Sequence, residues 1–141
     1  SPAMLAVARG RLGTTATLDI GDATNLPYSD DAFDLTFTAM FLHELEPGLR
    51  TTILDEMLRV TDPAGRVLVI DYRVGPMRWQ GRAWRIASTV AERIAGARHY
   101  RNWRRYLADG GVPSIVPAGG IIERDKIVAG GNLAIWLIEK T

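Results

Sequence analysis

Cysteine is absent from the 141 residues, which excludes disulfides and thiolate metal sites. Histidine occurs only twice, at His43 and His99, and neither has a partner at ligand spacing, so no metal site is expected. No apolar run approaches the roughly 18 residues that a membrane-crossing helix needs. No basic-then-apolar leader stands at the N-terminus. These absences together point to the cytoplasm. Net charge is lacking too: at +1, and with no nucleic-acid-binding motif, the chain gives no reason to expect nucleic acid as a partner. There is no internal repeat, no low-complexity stretch, no interdomain linker and no readable Ser, His, Asp arrangement.

Apolar residues make up 47% and charged residues 23%, which is enough for one domain with a core over residues 1–141. Charge is unevenly spread. From Asp19 to Asp62 ten Asp and Glu stand against two Arg, whereas from Arg73 to Arg105 nine Arg stand against Glu92 alone. The second stretch reads either as a solvated helix face or as an attractor for an anionic group, an acidic protein surface or a membrane surface.

Ser1 as N-cap and Pro2 at the first helical position open a helix to Leu12, with Met4, Leu5, Ala8 and Leu12 on its apolar side. Thr15 to Ile20 is β-branched and apolar enough for a strand, ended by Gly21. Phe33 to Ala39 is a strand apolar on both faces apart from threonines, the pattern of a parallel strand covered by helices on each side. Glu46 and Pro47 open a helix to about Val60, with Leu49, Ile53, Met57 and Val60 on one face, and the turn TDPAG stops it. Arg66 to Asp71 completes a strand, helix, strand unit.

From Met77 to about Ala95, Trp79, Ala83, Ile86, Val90 and Ile94 recur at helical spacing with most arginines off the stripe. A second helix follows from Tyr100 to Ala108. Ile121 to Val128 and Asn132 to Glu139 then form a hairpin across Ala129, Gly130 and Gly131. The pattern is an α/β fold.

The run Gly21 to Leu45, GDATNLPYSDDAFDLTFTAMFLHEL, resembles the middle of the class I S-adenosylmethionine-dependent methyltransferases, in the branch of ubiquinone and menaquinone C-methyltransferases. The terminal hairpin is similar to the way that fold finishes. The resemblance implies a Rossmann-like methyltransferase fold, a mostly parallel sheet with a C-terminal antiparallel hairpin, in which the first βαβ unit and its glycine-rich loop are absent. It implies methyl transfer from S-adenosylmethionine to a small-molecule acceptor. The alternative is a non-catalytic α/β partner or scaffold, because a fold does not fix a function. An open sheet edge would favour self-association or a second chain that supplies the front unit.

Site residues follow from the same resemblance. Asp22 would accept from the adenine amino group and Ala23 would offer its backbone N–H, while Met4 and Leu26 would pack on the ring. Thr38 and Ala39 would hold the methionine part. His43 would remove a proton at the transfer centre. The ordinary readings are a turn aspartate, core residues, and a surface histidine that pairs with Glu44 or caps the coming helix. His99, Tyr100, Arg101, Trp103 and Arg104 would line an acceptor pocket suited to a planar or anionic molecule, or else form a packed helix with its arginines in water.

Overall fold

The computed structural model describes residues 2–141, so the expected N-cap at Ser1 lies outside the described residues. In chain order the elements are α1 (Pro2–Leu12), β1 (Phe33–Ala39), a 3-10 turn (Leu42–Glu44), α2 (Pro47–Val60), β2 (Thr61–Tyr72), α3 (Trp79–Ile94), α4 (Ala97–Asp109), β3 (Gly120–Val128) and β4 (Leu133–Lys140). No helix among the described residues is long and apolar enough to cross a membrane.

The four strands form one sheet in the order β1-β2-β4-β3. β1 and β2 are parallel and adjacent, as a strand, helix, strand unit requires. β2 pairs antiparallel with β4, and β4 with β3, so the hairpin closes the far edge.

Val67 and Val69 of β2 stand beside Ile138 and Trp136 of β4, and all four side chains point to one buried face. Ile53, Leu54, Met57 and Leu58 of α2 and Trp103 and Tyr106 of α4 pack onto that face and complete the core. Each such side chain contributes about 1.5 to 3 kcal/mol of burial.

Three expectations are corrected. Thr15 to Ile20 is not a strand: none of these residues pairs with another strand among the described residues, and propensity without a neighbour does not build a ladder. β1 is not covered on both sides. Leu35 and Phe37 are 55% and 65% exposed, because the helices cover only the opposite face of the sheet. β2 begins at Thr61, which pairs with Phe33 before an irregularity, so TDPAG is carried within the strand.

Helix α3 holds a different surprise. It forms where the periodicity places it, but the apolar stripe faces outward: Trp79, Ile86, Val90 and Ile94 are exposed, while Gly81 and Glu92 are buried. Gly81 allows the close approach, since a Cβ there would lie 2.2 Å from the Gly130 carbonyl oxygen. Leu49 likewise points outward, although Ile53, Met57 and Val60 of its stripe are buried.

Candidate functional site

Two constellations stand near the end of β1. The first is built on the turn from Gly21 to Tyr28. One carboxylate oxygen of Asp22 accepts from the backbone N–H and the hydroxyl of Thr24, at 2.9 and 2.8 Å. The Thr24 backbone bond, then the hydroxyl bond, holds the Asp22 carboxyl below its ordinary range. The turn-aspartate reading is therefore realised, and among the described residues it engages only one of the two oxygens.

The turn is pinned to α2. Glu56 accepts the Leu26 N–H at 2.8 Å, and Arg59 donates to the carbonyls of Leu26 and Tyr28 at 3.1 and 2.9 Å. The Arg59 bond, followed by the Leu26 amide, pushes the Glu56 carboxyl down to about 2. Between the pinned turn and β1 runs a groove of about 320 Å³ lined by Ala23, Leu26, Thr36, Thr38, Ile53 and Met57 among others. Three expected cofactor residues thus share one wall system: Ala23, Leu26 and Thr38. Asp22 sits on the same turn and Ala39 ends the strand. Met4 is 70% exposed on α1, a helix that buries no residue, and it is outside the groove lining.

Directly after Ala39, Met40 adopts φ +53° and donates its N–H to the Ile70 carbonyl at 2.8 Å. A left-handed non-glycine residue costs on the order of 1 to 3 kcal/mol, and such residues cluster at functional sites. Beyond it opens a cavity of about 270 Å³ lined by Met40, Tyr72, Trp84, Ser88, Ala129, Asn132 and Leu133. The ends of both parallel strands meet there, where α/β sheets bind ligands.

The second constellation is buried. His43, on the 3-10 turn, is 2% exposed. Its Nδ1 lies 2.7 Å from one oxygen of Asp71, and its backbone N–H donates to the other at 3.3 Å. Its Nε2 is 3.4 Å from Glu92 Oε1, an oxygen that also accepts from the Tyr72 hydroxyl at 2.9 Å. Burial first, and the Glu92 carboxylate with it, push the Tyr72 hydroxyl up to about 12, which keeps it a donor. His99 Nε2 pairs with the other Glu92 oxygen. Neither ordinary reading of His43 fits, because its ring is buried with Nδ1 facing Asp71 and Nε2 facing Glu92, and the N-cap of α2 is Glu46.

The expected acceptor residues divide between two sides of α4. Trp103 is buried in the core with Tyr100 stacked on it, and His99 turns inward to Glu92. Arg101 and Arg104 are exposed and line a shallow depression with Pro47 and Asn102. The residues that the sequence reading missed are Asp71 and Tyr72; Met40 belongs with Thr38 and Ala39 at the strand exit, and only its left-handed backbone was not legible. Glu92 carried a signal, as the lone acid in an arginine-rich stretch.

Comparison with known proteins gives three findings. The family described as "Methyltransferase domain" matches residues 1–65. A demethylmenaquinone methyltransferase of Clavibacter sepedonicus is 37% identical over 84 residues, 55% of this chain and 31% of that protein. The chain spans less than a third of the length of the curated relatives it matches.

Among solved structures, the PH0226 protein from Pyrococcus horikoshii OT3 superposes with TM-score 0.66 at 14% identity, over 100% of this chain and 68% of that one. A Burkholderia thailandensis 1,6-didemethyltoxoflavin-N1-methyltransferase, solved with 1,6-didemethyltoxoflavin and S-adenosylhomocysteine bound, superposes with TM-score 0.58 at 16% identity, over 100% and 58%. Likenesses at this identity establish the fold.

Proposed function

We propose, from the relation of this chain to class I S-adenosylmethionine-dependent methyltransferases of the demethylmenaquinone branch, that it serves methyl transfer from S-adenosylmethionine to a small-molecule acceptor. The observation that carries the reading is the groove from Ala23 and Leu26 to Thr38, beside an Asp22 carboxylate with only one oxygen engaged. Such a groove fits the cofactor: an ionised acceptor and a backbone N–H for the adenine edge, and apolar walls for its faces. Asp22, Ala23 and Leu26 would hold the adenine end, and Thr38 and Ala39 the methionine end.

The bound cofactor supplies an electrophilic methyl group on a sulfonium. The chain's own work is alignment, and that is most of what such a transfer needs. The acceptor would enter the cavity at Met40, Tyr72 and Trp84, with Arg101 and Arg104 drawing an anionic acceptor toward the surface. Proton removal by His43 has no direct route, since its ring is closed in between Asp71 and Glu92. We place the protein in the cytoplasm, supported by its lack of cysteine.

A second reading, a non-catalytic α/β partner or scaffold of a complete methyltransferase, is favoured by one observation: β1 is an open edge among the described residues, with Leu35 and Phe37 exposed beside it, a surface that fits a second chain. Amide chemical shifts of the labelled chain, titrated with millimolar S-adenosylhomocysteine, separate the two. Shifts at Ala23, Leu26 and Thr38 that disappear in Asp22→Ala support the cofactor reading. No shift at these amides leaves the partner reading standing.

A further inference from the structure

We propose that His43, Glu92 and His99 form a binding site for a divalent first-row transition ion, with zinc the best match. The site lies outside the cofactor groove and stands or falls separately from methyl transfer. Its three ligands come from three elements: the 3-10 turn after β1, the last turns of α3 and the start of α4. One ligand atom from each lies within 4.8 Å of the others. The 3.4 Å between His43 Nε2 and Glu92 Oε1 is close to the edge of a tetrahedron whose centre makes bonds of about 2.0 to 2.1 Å.

Asp71 prepares His43 for this role. The Asp71 carboxylate also accepts the backbone N–H groups of His43 and Tyr72, at 3.3 and 2.7 Å, so it is an acceptor fixed in place. With Nδ1 of His43, 2.7 Å away, donating to this acceptor, Nε2 on the Glu92 side is the ring nitrogen left for a metal ion. A histidine backed by a carboxylate in this way is the usual outer arrangement of a histidine-ligated metal.

Charge points the same way. Asp71 and Glu92 are 0% and 6% exposed, and a buried carboxylate is costly unless something balances it. Glu92 Oε2 is buried without a hydrogen bond of proper geometry. Neither the half-buried Arg85 nor the buried Arg50 bonds these carboxylates: Arg85 bonds Asn132 and the Arg73 carbonyl, and Arg50 bonds the carbonyls of Leu42, Leu45 and Asn102 and pairs with Asp109. A dication bound by Glu92 and two neutral imidazoles cancels both negative charges.

The donor set selects the ion. Two imidazoles and a carboxylate suit zinc or a similar ion, whereas magnesium and calcium favour oxygen alone. His99 is 23% exposed and opens onto a surface cleft with Gly96, Arg98 and Asn102, which gives an entry path.

The chain offers a clean test, because it has no cysteine and only these two histidines. Untagged, chelator-stripped protein is titrated with zinc against a colorimetric competitor, with circular dichroism confirming that each variant folds. One zinc per chain is expected, with X-ray absorption showing nitrogen and oxygen ligands at about 2.0 to 2.1 Å. Glu92→Gln and the half-exposed His99→Gln should each weaken binding at least about tenfold, and Asp71→Asn by about 10- to 100-fold. Zinc bound no more tightly than by a folded His99→Gln variant, or in no fixed ratio, overturns the proposal.

Discussion

The backbone N–H of Leu26 donates to the Glu56 carboxylate at 2.8 Å, across thirty positions of sequence. That bond, with Arg59, fastens the turn carrying Asp22 and Ala23 to the outer end of a core helix. The geometry of the groove between that turn and β1 therefore depends on an ion pair that does not line it.

The pair makes an acid-sensitive link. Glu56 has an ordinary value of 4.5 and is held at about 2 in the folded chain by Arg59 and the Leu26 amide. A carboxyl depressed on folding stabilises above its unfolded value, and that stability is lost as pH falls through the folded value. Glu56→Gln should destabilise the chain at pH 7, and the gap from the natural chain should close between about pH 4.5 and 2. Urea unfolding followed by tryptophan fluorescence reads both, and parallel curves at all pH values would disprove the linkage.

Gly81 tests the seating of α3. In an exposed helix interior, Gly→Ala gains about 1 kcal/mol. Here the added Cβ would meet the Gly130 carbonyl oxygen at 2.2 Å, a backbone atom that cannot swing aside. Gly81→Ala should instead cost about 2 kcal/mol or more, through overpacking. A stabilised variant in chemical denaturation would mean that α3 does not sit on the turn before β4.

That seating also shows how far the sequence could be read. The 3.6-residue period at Trp79, Ala83, Ile86, Val90 and Ile94 located α3, but a period does not say which face turns inward. Gly130's close approach and Glu92's bond from Tyr72, beside the two histidines, decide that, and neither is local. The buried cluster was hidden for the same reason: His43 and Glu92 stand on different elements, and no short spacing relates them. By contrast, the strand, helix, strand order of β1, α2 and β2 and the final hairpin are carried by neighbouring segments, and these were legible. Thr15 to Ile20 misled because β propensity is realised only against a partner.

Arg101 and Arg104 are exposed on α4 and line a shallow depression with Pro47 and Asn102. Replacing both by alanine should leave unfolding within about 0.5 kcal/mol of the natural chain. In an active methyltransferase containing this segment, the same change should raise KM for an anionic acceptor while leaving cofactor affinity alone. Unchanged kinetics would return both arginines to solvent.

The uncovered face of the sheet gives the last prediction. Leu35 and Phe37 of β1 align with Arg66 and Leu68 of β2, so the exposed pair continues into Leu68 and Ile70 on the side that the core helices leave open. β1 is also an edge, with β2 on one side and no strand on the other among the described residues. An apolar face joined to an open edge favours pairing with another chain. The 141-residue chain should therefore associate as its concentration rises, and sedimentation velocity should show the shift. Phe37→Lys puts a charge on that face at a side chain already 65% exposed, so it should reduce association with little loss of stability. Thr36→Lys is the control for the opposite face, where the Thr36 hydroxyl lies 2.9 Å from the Thr61 hydroxyl, and it should lower stability instead. A chain that stays monomeric at about 100 µM, where contacts with Kd values in the micromolar range would show, would mean that this face is protected in solution.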